Sequence, residues 1–155
     1  MRYSLILAAL LAIIASASAS ADDWAPPVTD KLAQKECGSC HMAFQPAFLP
    51  KRSWQKIMDT LSDHFGDDAS LPEDQAAAIR AYLADNAGDV KRQGIARKYM
   101  RWVAADGVPM KITENPAFLR EHNFPDRVWK DSKVITKSNC LACHAQANSG
   151  NYEDD

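Results

Sequence analysis

Beyond its first twenty-one residues the chain has no apolar run of the about 20 residues that a membrane span requires, so the remainder is not expected to cross a bilayer. It has no basic excess either. With 18 Lys and Arg against 20 Asp and Glu, a net charge of −2, it lacks the electrostatic footprint of a nucleic-acid binder. Strand signals are weak throughout and no βαβ alternation appears, which removes a thioredoxin-like redox domain from consideration. Cysteines number four and histidines four, and no cysteine lies outside two short stretches.

Those stretches are Cys37-Gly38-Ser39-Cys40-His41 and Cys140-Leu141-Ala142-Cys143-His144. Each is a C-x-x-C-H motif, the attachment signature of a c-type haem: two thiols bond to the porphyrin's vinyl groups and the adjacent imidazole ligates the iron. The spacing has a physical reason. Cysteines three apart share one face of a helical turn, so both reach one edge of a flat macrocycle while the next residue turns beneath its centre. Two disulfides would not ask for a histidine directly after both C-x-x-C units. A zinc site built from two such knuckles spaces them ~15–20 residues apart, whereas these lie about a hundred apart. Two covalently bound c-type haems, each with its iron, are therefore expected, held by Cys37, Cys40 and His41 and by Cys140, Cys143 and His144.

Residues 1–21 read as a signal peptide: Arg2 gives a positive start, residues 5–14 an apolar run, and Ala19-Ser20-Ala21 a small-residue cleavage site, with cleavage near Ala21. Covalent haem attachment in bacteria takes place outside the cytoplasmic membrane, so a periplasmic location follows. The mature chain then has 17 basic against 20 acidic side chains. Its roughly 134 residues divide into an N-terminal haem domain over 22–88 and a C-terminal one over 89–155. Each is near the size at which an unaided apolar core becomes marginal, and a large apolar disc supplies what is missing.

The expected class is mainly α, two small haem domains of different topology. Thr29 or Asp30 can cap a short helix running into Cys37, while Pro46 and Pro50 make the next segment a loop over the haem edge. Ser53 is read as the cap of a second helix on which Trp54, Ile57, Met58, Leu61 and Phe65 form one stripe ended by Gly66, with His64 in the last turn. Pro72 opens a third helix with Glu73 and Asp74 in its first turn and the run 75–86 after them, and residues 88–94 read as a boundary. Farther on, Asn115-Pro116 starts a short helix carrying Phe118, Leu119 and His122, and Pro125 interrupts it. Val128, Trp129, Val134 and Ile135 supply apolar surface, and Ser138 is placed to cap the last haem-bearing turn. Only eleven residues follow His144, so the second domain cannot close as the first does and has a different fold.

Two irons need two sixth ligands, and beyond His41 and His144 the chain holds one histidine in each half, His64 and His122. Each borders an apolar helical face. Met58 reads as core, and Met100 and Met110 stand as unplaced alternatives for the second iron. Two irons saturated by imidazoles exchange electrons but bind no substrate without first losing a ligand, which points to an electron carrier rather than an enzyme. The alternative is a dihaem peroxidase-like or reductase enzyme with one ligand-displaceable haem. A haem-based sensor would need a signalling domain for which the length leaves no room.

The order of haem motif, loop, ligand-bearing segment and closing helix over residues 28–86 resembles a class I cytochrome c domain, departing from it in offering His64 where a methionine is usual. Over the whole mature chain, the two motifs, His64-Phe65-Gly66 and Phe118-Leu119-Arg120-Glu121-His122 resemble the dihaem cytochrome c (DHC) family. The resemblance implies distal histidines at His64 and His122, and redox partners such as a small oxygen-binding cytochrome or a membrane cytochrome b. For docking to such a partner the chain offers a basic cluster of Lys91, Arg92, Arg97, Lys98 and Arg101, and an acidic tail of Glu153, Asp154 and Asp155.

Overall fold

The structure, a computed structural model, describes residues 23–153. The expected signal peptide and the last two acidic residues of the tail lie outside that range. The protein is mainly α: seven short helices and five 3-10 turns are found among the described residues, with two isolated bridges, Trp24 with Asn151 and His64 with Asp67, in place of any strand. No helix among them is long and apolar enough to cross a membrane.

Helix α1, Lys31–Cys37, begins where the Asp30 carboxylate accepts a hydrogen bond from the Ala33 amide at 2.8 Å. It stops at the first motif. A β-carbon on Gly38 would lie 2.2 Å from the Gln34 carbonyl oxygen, so only glycine allows the chain to leave the helix here. Helix α2, Lys51–Asp59, starts three residues earlier than the Ser53 cap predicts, behind Pro50. Ser53 is instead buried inside the helix, its hydroxyl unpartnered. The apolar stripe is also shorter than expected. Trp54, Ile57 and Met58 are buried, but the helix ends at Thr60, a 3-10 turn over Leu61–Asp63 follows, and Phe65 turns outward at a left-handed φ of 58°. Helix α3, Glu73–Asp85, follows Pro72 and lays Ile79 and Leu83 against α2 and α1.

Residues 45–50 depart most from expectation. The prolines do keep them out of an α-helix, but the loop expected over the haem edge is a buried 3-10 strap, Pro46–Phe48. Leu49 enters the core of α1, α2 and α3, while Ala47 and Phe48 enter a second core with Ala25, Ile95, Ala96, Tyr99, Ala117 and Phe118. One strap serves both. Residues 88–94 likewise carry a helix, α4 (Gly88–Lys91), whose Gly88 amide donates to the Leu49 carbonyl at 2.9 Å.

Helix α5, Ala96–Met100, packs on the strap, and α6, Pro116–Glu121, starts as expected: Asn115 accepts from the Ala117 amide at 2.8 Å and donates to the Tyr99 carbonyl. After Pro125 comes α7, Asp126–Trp129. Val134 is buried, but Ile135 is 77% exposed with a φ of 64° and adds nothing to the core. Nor does Ser138 cap the final motif: Asn139 precedes it and ties down the turn by donating to the carbonyls of Lys133 and Val134.

The two ends of the described chain meet. The Ala25 amide donates to the Gly150 carbonyl, and Tyr152 donates to Asp23. Gly150 has a φ of +84°, and a β-carbon there would stand 1.9 Å from the Ala25 carbonyl oxygen. Gly150→Ala should therefore destabilise the haem-loaded protein by at least about 1 kcal/mol, read as a lower thermal midpoint; an unchanged midpoint would mean that this closure contributes nothing.

Candidate haem sites

At the end of α1, Cys37 is half-buried and Cys40 exposed. Burial, with Glu36 and Asp30 nearby, pushes the Cys37 thiol above its ordinary range. His41 follows, its Nδ1 donating to the Met42 carbonyl at 2.7 Å. The turn after α2 brings His64 to it. His64 and Asp67 bond to each other's backbone in both directions, at 2.7 and 3.3 Å, and this places the two imidazoles with ring centres 6.3 Å apart and planes 25° from parallel. Burial, and then the neighbouring His41, lower the pKa of His64 against the opposing pull of Asp67.

The second motif is a 3-10 turn, Cys140–Ala142, in which residues three apart eclipse, so the shared face survives in a different helix type. Cys140 is half-buried, its thiol pushed up to about 11 by burial, and Cys143 is exposed. The pattern of the first motif recurs. His144 is anchored through its amide to the Cys140 carbonyl at 2.8 Å, and its Nδ1 is buried without a partner. His122 caps the C-terminus of α6, lies flat on Phe118 at 3.9 Å and 9°, has its Nδ1 3.0 Å from the Phe118 carbonyl, and is bordered by Phe124 and Trp129. Its ring centre is 6.1 Å from that of His144, with the planes at 73°.

Those two separations test the fit of a haem iron. Metal–imidazole bonds are about 2 Å and each ring centre lies about 1.1 Å beyond its nitrogen, so two imidazoles on opposite sides of one ion have centres roughly 6.2 Å apart. Both histidine pairs meet that spacing. The cysteines are not joined as disulfides, and among the described residues no group of three His, Cys, Asp or Glu gathers to hold a lone metal ion. Of the methionines, Met58 is buried in the first core, Met110 packs at its edge, and Met100 packs at the edge of the second. An open cavity of about 500 Å³ is lined by Gln34 and residues 38–43 of the first site, and Leu141 and Asn148 reach its edge from the segment of the second motif.

The family model described as dihaem cytochrome c (DHC) matches residues 33–152. The chain belongs to the dihaem cytochrome c family. Among solved structures, a diheme cytochrome c from Rhodobacter sphaeroides is 40% identical, with 82% of this chain and 99% of that one covered at a TM-score of 0.74. The diheme cytochrome type c of Shewanella baltica OS155 is 35% identical over 79% of this chain and 86% of that one, at 0.63. No curated protein gives a comparable match. As a dihaem cytochrome c the protein carries two covalently bound c-type haems with iron and is an electron-transfer haem protein.

Some participants give no sign of themselves in the sequence. Gln45, fully buried in the strap, donates to the Ala147 carbonyl at 2.7 Å and accepts from the Tyr152 hydroxyl. Burial holds that hydroxyl protonated far above the usual tyrosine range. The basic cluster loses a member to structure: Lys98 is paired with Asp23 at 2.7 Å and with Glu121 at 2.9 Å, tying α5 to the N-terminal segment and to the end of α6.

Proposed function

We propose that this dihaem cytochrome c carries electrons between redox proteins of the periplasm through two low-spin haems, each held by two histidines. His41 and His64 ligate the first iron and His144 and His122 the second, with thioethers from Cys37 and Cys40 and from Cys140 and Cys143. The observation that carries the reading is the pair of imidazole separations, 6.3 and 6.1 Å, each the span of one six-coordinate iron. Bound haem supplies an iron that alternates between ferric and ferrous states.

The chain's own residues do the rest. Each histidine pair would supply both protein ligands of its iron and leave no position for a substrate, which favours a carrier over a peroxidase-like or reductase enzyme. Phe118 and Trp129 fix the His122 ring, and the His64–Asp67 bridge fixes His64, so the ligands need not reorganise when an electron arrives. Leu141 of the second motif borders the cavity of the first, and this closeness supports passage of electrons from one site to the other. Export by a signal peptide cleaved near Ala21 fits the covalent attachment of haem outside the cytoplasmic membrane. Partners are redox proteins such as a small oxygen-binding cytochrome or a membrane cytochrome b, docking on Lys91, Arg92, Arg97 and Arg101, with Lys98 held in its own ion pairs. Spectroscopic redox titration tests the carrier: two reversible one-electron waves per chain are expected, and a protein that turns over peroxide rapidly in its reduced state would contradict it.

A further inference from the structure

The four imidazoles are not held alike. The Nδ1 atoms of His41 and His122 each meet a backbone carbonyl, of Met42 at 2.7 Å and of Phe118 at 3.0 Å. Such a bond fixes a ligand ring and raises its basicity. His144 has no such bond, since its Nδ1 is buried with no acceptor. What meets it is the ring of Tyr152, edge-on, with centres 5.6 Å apart and planes at 64°.

Tyr152 is in turn held from several sides. Its hydroxyl donates to Gln45 Oε1 at 2.5 Å, Phe48 stands against its ring at 89°, and its amide donates to Asp23. The other end of the Gln45 amide donates to the Ala147 carbonyl, and the Ala147 amide donates to the carbonyl of His144. A closed circuit results: His144 backbone, Ala147, Gln45, Tyr152, and back to the His144 ring. Gln45 lies in the strap between α1 and α2, 107 residues from Tyr152, so this circuit links the first motif's side of the molecule to the second haem's proximal ligand.

We propose that Gln45 and Tyr152 are positioning residues for His144, setting its ring orientation by packing where the other proximal histidine is set by a hydrogen bond, and thereby setting the potential of the second haem. The inference rests on His144 ligating the second iron. That reading fails separately, if His144→Ala leaves both potentials and both low-spin signals unchanged.

The test uses the haem-loaded protein with Tyr152→Phe, which keeps the ring edge and removes the hydroxyl, and Gln45→Met, which keeps the side chain's reach and removes both bonds. The wave assigned to the second haem by His122→Met should move by at least a threefold change in its oxidised-to-reduced ratio at fixed applied potential, about 28 mV for one electron. The first wave should stay. Because ring orientation governs the anisotropy of a low-spin ferric signal, the second haem's electron paramagnetic resonance should change while that of the first does not. The double variant should shift no more than the larger single one, since both break the same circuit. If Gln45→Met fails to accumulate with both haems, Tyr152→Phe alone decides, since it removes the one hydrogen bond that anchors the ring against His144 and leaves the fold's apolar packing in place. Fully loaded variants with a lowered thermal midpoint but both waves and both signals unmoved would reduce the two residues to ordinary core. Equal movement of both waves would equally overturn the proposal.

Discussion

Replacing His64 by methionine raises one of the two reduction potentials and leaves the other in place, and replacing His122 raises the other. The cause is the donor atom. Imidazole is a good σ-donor that favours ferric iron, whereas a thioether favours the ferrous state, and axial identity moves haem potentials over a range of about 0.8 V. The selectivity follows from geometry: His64 lies 6.3 Å from His41 on the turn after α2, and His122 lies 6.1 Å from His144 at the end of α6. A shift of a hundred millivolts or more is expected, about a fiftyfold change in the oxidised-to-reduced ratio for a one-electron couple. Potentiometric titration of both variants reads it. Should His64→Met move neither wave while the iron stays low-spin, His64 is not an axial ligand, and Met58 or Met110, in and beside the same core, become the candidates.

A second large effect attends loss of a haem. With Cys140 and Cys143 both changed to alanine, the mass of the exported protein should fall by one haem and its visible absorbance by about half. The fold should suffer locally as well. Helices α6 and α7 and the final 3-10 turns are short, and Leu119, Phe124, Ile135 and Leu141 are exposed around them, so little apolar burial holds this part of the chain in the absence of its cofactor. Hydrogen exchange should therefore quicken over residues 116–150 and remain slow in α2 and α3. Single changes, Cys40→Ala or Cys143→Ala, should leave one thioether and a singly attached haem. A double variant that keeps two covalent haems would refute the attachment sites.

How much of this is legible in the chain depends on how local the cause is. The haem motifs are contiguous, and the caps at Asp30 and Asn115 act on amides two or three residues away, so sequence alone finds them. The proximity of His64 to His41 follows from there being one further histidine in each half. Other features have causes that lie far along the chain. Pro46 and Pro50 rule out a helix but say nothing about burial; the strap is buried because Phe48 meets Tyr99 and Tyr152, 51 and 104 residues onward. Ser53 resembles a cap, yet Pro50 already starts the helix and leaves the hydroxyl inside it. The apolar stripe breaks at Thr60 because His64 must turn back to its bridge with Asp67, and the periodicity of Leu61 and Phe65 does not reveal that turn. Lys98 looks like one charge of a surface cluster until Asp23 and Glu121 are brought to it.

The central claim is that both irons are held by two histidines each. Near-infrared magnetic circular dichroism of the fully oxidised protein tests it most directly, because bis-histidine and histidine–methionine ligation give distinct charge-transfer bands. All the iron, two per chain, should appear as low-spin bis-histidine haem. A histidine–methionine band, or a high-spin fraction from an iron with an open position, would contradict the account.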